Sequence, residues 1–223
     1  MGLSDSALKV FSSVPYLLQG VGVTLKITVY SLIIGAFLGL LLALARVYGG
    51  GISRRFAVLY SRVVRSLPLL VILFMLYFFG SGVLDIPAYE AVVVALGMHT
   101  AAYQSEIFRG AIQSIRKGQM EAALALGMSK PQAVFYVILP QALRLAIPYW
   151  ANESAIVLKD SALAYVLGIT ELMRRGEYIS ANTSKPLLTY VIVGFIYFVL
   201  TYAFTKGLNI VDRKVRVPGL GER

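Results

Sequence analysis

The chain has 223 residues, of which 58% are hydrophobic and only 14% charged. That is more apolar than a soluble domain of this length needs for one core. It has no cysteine, which excludes disulfides, thiol catalysis and cysteine-ligated metals. A formal net charge of +10 would suit nucleic acid, but in so apolar a chain the side of the membrane on which the charges fall is the first question.

Five apolar segments are predicted to cross a bilayer, at roughly 22–46, 57–80, 88–110, 141–159 and 187–210. The first contains Ile27–Ala45, "ITVYSLIIGAFLGLLLALA", without a charge. An uncharged run of that length is long enough for a membrane helix. The turn after it, "RVYGGGISRR", lacks the lysine and the following pattern of a phosphate loop, and its glycines read as a flexible turn. The second segment begins with "RSLPLL" at 65–70. Pro68 is predicted to break the helix there and free backbone carbonyls near the midplane. On the third, His99 reads as a packed histidine, and Glu106 and Arg109 are spaced for an i,i+3 ion pair.

The stretch Glu121–Pro140, "EAALALGMSKPQAVFYVILP", differs from its surroundings. Gly118 can cap a first helix with Glu121 at its third position, and Gly127 falls where a helix ends left-handed. Ser129-Lys130-Pro131-Gln132 has the order of a capping box with proline in the first turn. A second short helix is predicted to stop at Pro140. Helices of roughly 8–10 residues reach only about 12–15 Å, half of a bilayer's core. The pair is therefore expected at a membrane surface, either as a plain link between segments or as a docking element.

The fourth segment carries Asn152, Glu153, Lys159 and Asp160. Asn152 and Lys159 are seven apart, as are Glu153 and Asp160, so each pair shares a helical face. Ionisable residues inside a span are functional candidates. This polar wedge can face a substrate with an ammonium and a carboxylate. It can equally be a self-neutralised network with Lys159 reaching the interface.

The lysines and arginines are unevenly shared. Arg46, Arg54, Arg55, Arg62 and Arg65, then Arg109, Arg116, Lys117, Lys130 and Arg144, then Lys206, Arg213, Lys214, Arg216 and Arg223 make 15 on one side. Lys9, Lys26, Lys159, Arg174, Arg175 and Lys185 make 6 on the other. The excess predicts an outside N-terminus, with the Glu121–Pro140 stretch and the C-terminus cytoplasmic. The net charge is mostly this bias, so no nucleic acid is required.

Glu121-Ala122-Ala123, three residues, Gly127, nine residues, then Val137, Leu139 and Pro140 resemble the EAA loop of ABC-type importer permeases, with valine where the family has isoleucine. "AAYQSEIFRGAIQSIRKGQMEAALALG" is similar to the polar amino-acid branch of that family at Ala102, Tyr103, Glu106, Ile107, Arg109, Gly110, Ile112, Gly118 and Gln119. "LLQGVGVTL" at 17–25 and "NESAIVLKDSAL" at 152–163 match further blocks of it. The resemblance covers roughly 15–212 of a chain that reads as one transmembrane domain, 1–223, with a coupling loop at 114–140.

The resemblance implies an all-α membrane protein of about five transmembrane helices with a cytoplasmic coupling helix between the third and fourth. It implies the transmembrane subunit of an ATP-driven importer of polar amino acids in a prokaryotic inner membrane; Glu153 and Asp160 favour a cationic side chain, although the family uses this block for neutral and acidic ligands too. Glu121, Ala122, Ala123, Gly127, Leu139 and Pro140 would couple it to a cytoplasmic ATPase. Glu153, Asp160, Asn152, Lys159 and Ser66 would meet substrate, Ser66 and Leu67 standing where the family has glycine and threonine. The partners implied are a second permease copy or paralogue, two ATPase subunits holding ATP and magnesium, an extracellular binding protein and the bilayer. No catalytic residue, metal or cofactor is expected in this chain. The competing readings are a stand-alone ion-coupled secondary transporter, which predicts internal repeats that the sequence lacks, and a non-transporting assembly or sensor subunit, which leaves the wedge unexplained.

Overall fold

The computed structural model describes residues 3–83 and 85–215, and among these every regular element is helical. Arg216 and Arg223, both counted above towards the cytoplasmic side, lie outside the described residues. The helices in chain order are α1 (Leu3–Ser12), α2 (Val14–Tyr48), α3 (Gly51–Ser66), α4 (Leu69–Val83), α5 (Ala88–Ser114), α6 (Lys117–Ala125), α7 (Lys130–Ala133), α8 (Leu139–Asp160), α9 (Leu172–Thr183) and α10 (Pro186–Val215). A π turn, Val134–Ile138, joins α7 to α8, and a 3-10 stretch, Ser161–Leu167, continues α8.

Among the described residues, three continuous helical stretches are long and apolar enough to cross a membrane: Val14–Tyr48, Lys130–Leu167 and Pro186–Val215. Gly51–Ser66 and Leu69–Gly80 reach that standard only together, and they are bent by 106° at the break between them, as in a broken span or a re-entrant loop. The predicted second span is thus two helices. α3 ends at Ser66, Leu67 is extended at φ −94° and ψ 138°, and α4 starts after Pro68. The cause is the one expected from the sequence, since the residue before a proline is pushed out of the α region. α5, with 27 residues, has the length of a span, about 40 Å. Glu90, His99, Gln104, Glu106 and Arg109 keep it below the apolarity of the other three.

The chain forms two compact units. One gathers the residues up to Ile33 with Pro68–Gly97 and Ser154–Phe204, and the other Ile34–Leu67, Met98–Glu153 and the residues from Thr205 on. In the first, Val10 of α1, Leu17 of α2, Leu172 and Ile179 of α9 and Val193 of α10 form a buried apolar cluster. Gly20 of α2 allows the close approach there: a Cβ would lie 2.7 Å from the backbone nitrogen of Leu172, nearer than any side chain can sit. In the second unit, Ala43, Phe108, Ala111, Ile112, Ile138, Ala142 and Ala146 pack together. The alanines among them, Ala43, Ala111, Ala142 and Ala146, let α2, α5 and α8 come close, as membrane helices require when no water drives them together.

Two short helices went unread in the sequence. α1 is amphipathic, burying Val10 while Leu8 and Phe11 stay exposed. α9 lies in the polar segment between the last two predicted spans. It opens on Glu171, whose carboxylate accepts from the backbone N–H of Arg174 at 2.7 Å and of Met173 at 2.8 Å.

Candidate functional site

The Glu121–Pro140 stretch folds as a hairpin in the second unit. α6 starts at Lys117 with Arg116 as its cap, two residues earlier than Gly118 allowed. The end of α6 is as the sequence predicts. Gly127 is left-handed, φ +82°. Its N–H donates to Leu124 O at 3.0 Å and that of Met128 to Ala123 O at 3.2 Å, the paired bonds of a Schellman end. The box at α7 also forms, Gln132 Oε1 accepting from the Ser129 backbone N–H at 2.8 Å and its hydroxyl at 2.9 Å.

The second helix of the hairpin does not stop at Pro140. It runs from Lys130 through the π turn into α8. Proline has no N–H to give the preceding turn, and the chain absorbs this by widening that turn. Leu139 N–H reaches back to Val134 O, and the Gln141 side-chain amide donates to Val137 O at 2.7 Å. Such widened turns collect at functional positions.

The hairpin has two characters. Ala123, Val134 and Ile138 are buried, whereas Leu124, Phe135, Tyr136 and Leu126 are exposed, Leu126 by 81%. Glu121, Ala122 and Gly127 are exposed beside them. An apolar patch rimmed by polar residues marks a surface that meets a partner.

On α8 the predicted wedge divides by face. Glu153 is buried, 7% exposed, and accepts a hydrogen bond from Thr100 Oγ1 at 2.7 Å. Asp160, on the same helical face, is half-buried, while Asn152 and Lys159 are exposed. Behind Glu153 runs a polar chain through α5. Gln104 Nε2 donates to Thr100 Oγ1 at 3.1 Å, and Trp150 Nε1 donates to Gln104 Oε1 at 2.7 Å. Ser66 spends its hydroxyl on its own helix, donating to Arg62 O at 2.8 Å. An apolar cavity of ≈ 350 Å³ opens beside Trp150, lined by Ala36, Phe108, Leu143, Arg144 and Ile147 among others, and none of the five predicted substrate residues lines it.

The Glu106–Arg109 pair forms at 2.8 Å, within a larger cluster. Arg46 Nη1 donates to Glu106 Oε1 at 2.6 Å and Arg65 Nη2 at 3.0 Å. Ser61 adds its hydroxyl at 3.2 Å. One carboxylate thus ties α2, α3 and α5 together. His99 packs its ring 5.2 Å from that of Tyr103, the two tilted by 53°, as a packed histidine does.

Sequence reasoning missed Glu171. It is 0% exposed and takes bonds from Tyr197 Oη at 2.9 Å and Thr24 Oγ1 at 3.4 Å besides its two backbone donors. Burial pushes its carboxyl up, against the four hydrogen bonds that favour its charged form. The signal available was weak, since glutamate is not among the preferred capping residues. The Thr100–Gln104 pair was more legible, being two polar residues four apart on an apolar helix.

Residues 35–217 match the family described as binding-protein-dependent transport system inner membrane component. The chain is 36% identical over 211 residues to the glutamine transport system permease protein GlnP of Escherichia coli (strain K12), covering 93% of this chain and 96% of that protein. It is 38% identical over 205 residues to the arginine transport system permease protein ArtQ of Bacillus subtilis (strain 168), covering 91% and 94%. The crystal structure of an amino acid ABC transporter with histidines superposes at a TM-score of 0.84 and 36% identity, over 93% of this chain and 97% of that one. A family match over most of the chain, with relatives that span nearly all of it, makes this protein a transport subunit rather than an enzyme: it belongs to the inner membrane components of binding-protein-dependent transport systems, among the amino-acid ABC transporter permeases.

Proposed function

We infer that this chain is the transmembrane subunit of an ATP-driven importer that carries polar amino acids into a prokaryotic cell. It would work as a dimer, with a second copy or a paralogue, on two cytoplasmic ATPase subunits that hold ATP and magnesium. An extracellular binding protein would hand it the substrate, with the N-terminus outside and the C-terminus in the cytoplasm.

The observation that carries the coupling role is the hairpin of α6 and α7. Its exposed Leu124, Leu126, Phe135 and Tyr136 surround the left-handed turn at Gly127. An apolar knob on a cytoplasmic face, in a stretch that carries Arg109, Arg116, Lys117, Lys130 and Arg144, needs a cover. A groove on an ATPase supplies one. Glu121, Ala122, Ala123, Gly127, Leu139 and Pro140 shape the knob and join it to α8 through the π turn, so that its movement reaches the span.

Glu153, Asp160, Asn152, Lys159 and Ser66 are the residues proposed to meet substrate. Two carboxylates on one face of α8 favour an ammonium, on the amino acid itself or on a cationic side chain. Relatives named for glutamine and for arginine transport support polar amino acids as the class.

The test is purification of the chain from its native membrane under mild detergent. The expected result is an ATPase that copurifies and whose hydrolysis in vesicles rises with substrate and binding protein together. A chain that transports amino acids alone, driven by an ion gradient, would refute the reading.

A further inference from the structure

α3 has a face that neither the coupling hairpin nor the α8 residues use. Ile52, Phe56, Leu59 and Val63 fall within about 60° of one another around the helix. They are 88%, 65%, 62% and 47% exposed. The opposite face buries only Ala57 and Ser61. Beside the stripe lies a groove of ≈ 520 Å³ lined by Gly51, Arg54, Arg55, Val58, Leu59 and Arg62. Arg65 is committed to Glu106. Arg54, Arg55 and Arg62 are exposed, and among the described residues their guanidinium groups have no acidic partner.

We propose that α3 lies in the inner membrane interface and that the groove of Arg54, Arg55 and Arg62 binds the headgroups of anionic phospholipids. An apolar stripe with arginines along one side, Arg55 and Arg62, and Arg54 nearly opposite is the pattern of a helix lying in the interface, its apolar side among the acyl chains and its charges among the headgroups. A solvated basic face would not carry an isoleucine, a phenylalanine, a leucine and a valine in a row beside it. Arg55 and Arg62 are seven residues apart, about 10 Å along the helix, so each can hold its own phosphate. Guanidinium groups suit phosphate oxygens because their paired N–H donors bind them two at a time. Three basic residues near an anionic surface favour it by roughly 150-fold over a neutral one. The far end of α3 is held by the Arg65–Glu106 contact, so lipid on Arg54, Arg55 and Arg62 loads the same helix that the Glu106 cluster anchors. The proposal rests on the cytoplasmic placement of this loop given above.

The chain has no cysteine, so Phe56→Cys places a single fluorophore on the stripe in the assembled transporter. The probe lipids are phosphatidylcholine and phosphatidylglycerol, with bromine on the acyl chains of one or the other, mixed in vesicles. Brominated phosphatidylglycerol should quench at least about twofold beyond its share of the bilayer. Combined Arg54→Gln, Arg55→Gln and Arg62→Gln should abolish that excess, and Arg213→Gln with Lys214→Gln should leave it. If the triple variant does not assemble, salt serves instead: about 0.5 M salt should erase the excess in the unsubstituted arginine groove. Quenching in proportion to each lipid's share would overturn the proposal, as would an equal loss from the Arg213 and Lys214 pair. No quenching by either lipid would mean that protein, such as a second copy, covers the stripe. Both leaflets hold the quencher, so a wrong orientation alone leaves the signal intact. It would show instead as labelling of this loop by an impermeant reagent from outside.

Discussion

Glu153 and Asp160 carry the most specific expectation at the scale of single residues. Asp160→Asn keeps the shape and removes the charge, as does Glu153→Gln. Uptake should fall about tenfold for each, and further for lysine or arginine than for glutamine, because a carboxylate discriminates most strongly where the substrate brings a second cation. The ATPase rate is measured alongside, so that a misfolded subunit is recognised. Normal transport of every substrate by both variants would make the pair structural. Glu171 makes a different prediction, in pH. A carboxyl raised by burial holds its proton more tightly folded than unfolded. Its contribution to stability is therefore full below the unfolded value, near 4, and is lost as pH rises through the folded value. Glu171→Gln cannot titrate. Its Tm relative to the glutamate form should climb as pH rises from the unfolded towards the folded value and then level off. A difference that falls with pH would show that the four hydrogen bonds outweigh burial.

The hairpin is the element proposed to couple the chain to an ATPase, and its turn separates conformation from contact. A Cβ at Gly127 would meet nothing within 4 Å, so a substitution there is penalised only through φ. Gly127→Val should cost about 1–3 kcal/mol and sharply reduce uptake while ligand binding outside survives. Gly127→Asn, which tolerates a left-handed turn, should keep most of it. Equal, normal uptake in vesicles for both would count against the hairpin as the coupling element. Much at this scale was legible in the sequence. Gly127, the Ser129–Gln132 box and the break before Pro68 each follow from the backbone preference of one residue. Pro140 was misread because a proline says that one N–H is missing and not how the chain will compensate. Here the turn widened, and the helix continued. α9 was unread because its cap is a glutamate held by Thr24 and Tyr197, which are 147 and 26 residues away in sequence. The partners of Glu106 beyond Arg109 are hidden for the same reason, since Arg46 and Arg65 read only as charges near a membrane.

At the scale of the whole molecule, the division of lysines and arginines predicts which parts face which compartment. With no native cysteine, Ser184→Cys and Ser129→Cys each give one thiol, at the end of α9 and at the start of α7. An impermeant maleimide added to intact cells should label Ser184→Cys and spare Ser129→Cys until the membrane is opened. The reverse pattern would invert the topology and remove the hairpin from the cytoplasm. The all-helical class and the membrane setting could be read from composition and run length alone. The number of crossings could not, because α5 is polar for a span and the second span is two helices. Apolar run length measures neither.

The π turn at Val134–Ile138 also fixes a phase. A helix advances about 100° for each residue, and a widened turn accommodates one residue more than the regular ladder would. The angle at which α8 presents Asn152 and Glu153, relative to the hairpin, is therefore a matter of residue count. Removing one residue from 134–138 would let the ladder close as an ordinary helix with the helices on either side still in phase. Removing one from a regular stretch of α8, such as 142–146, would instead rotate everything beyond it by about 100°. Helical content by circular dichroism should be unchanged by either. Uptake should survive the first deletion and be lost on the second, because Glu153 would turn away from Thr100. Uptake that survived the second would mean that the face of α8 is not read by the substrate. By this argument a change in length alone, with every functional side chain present, disables the transporter.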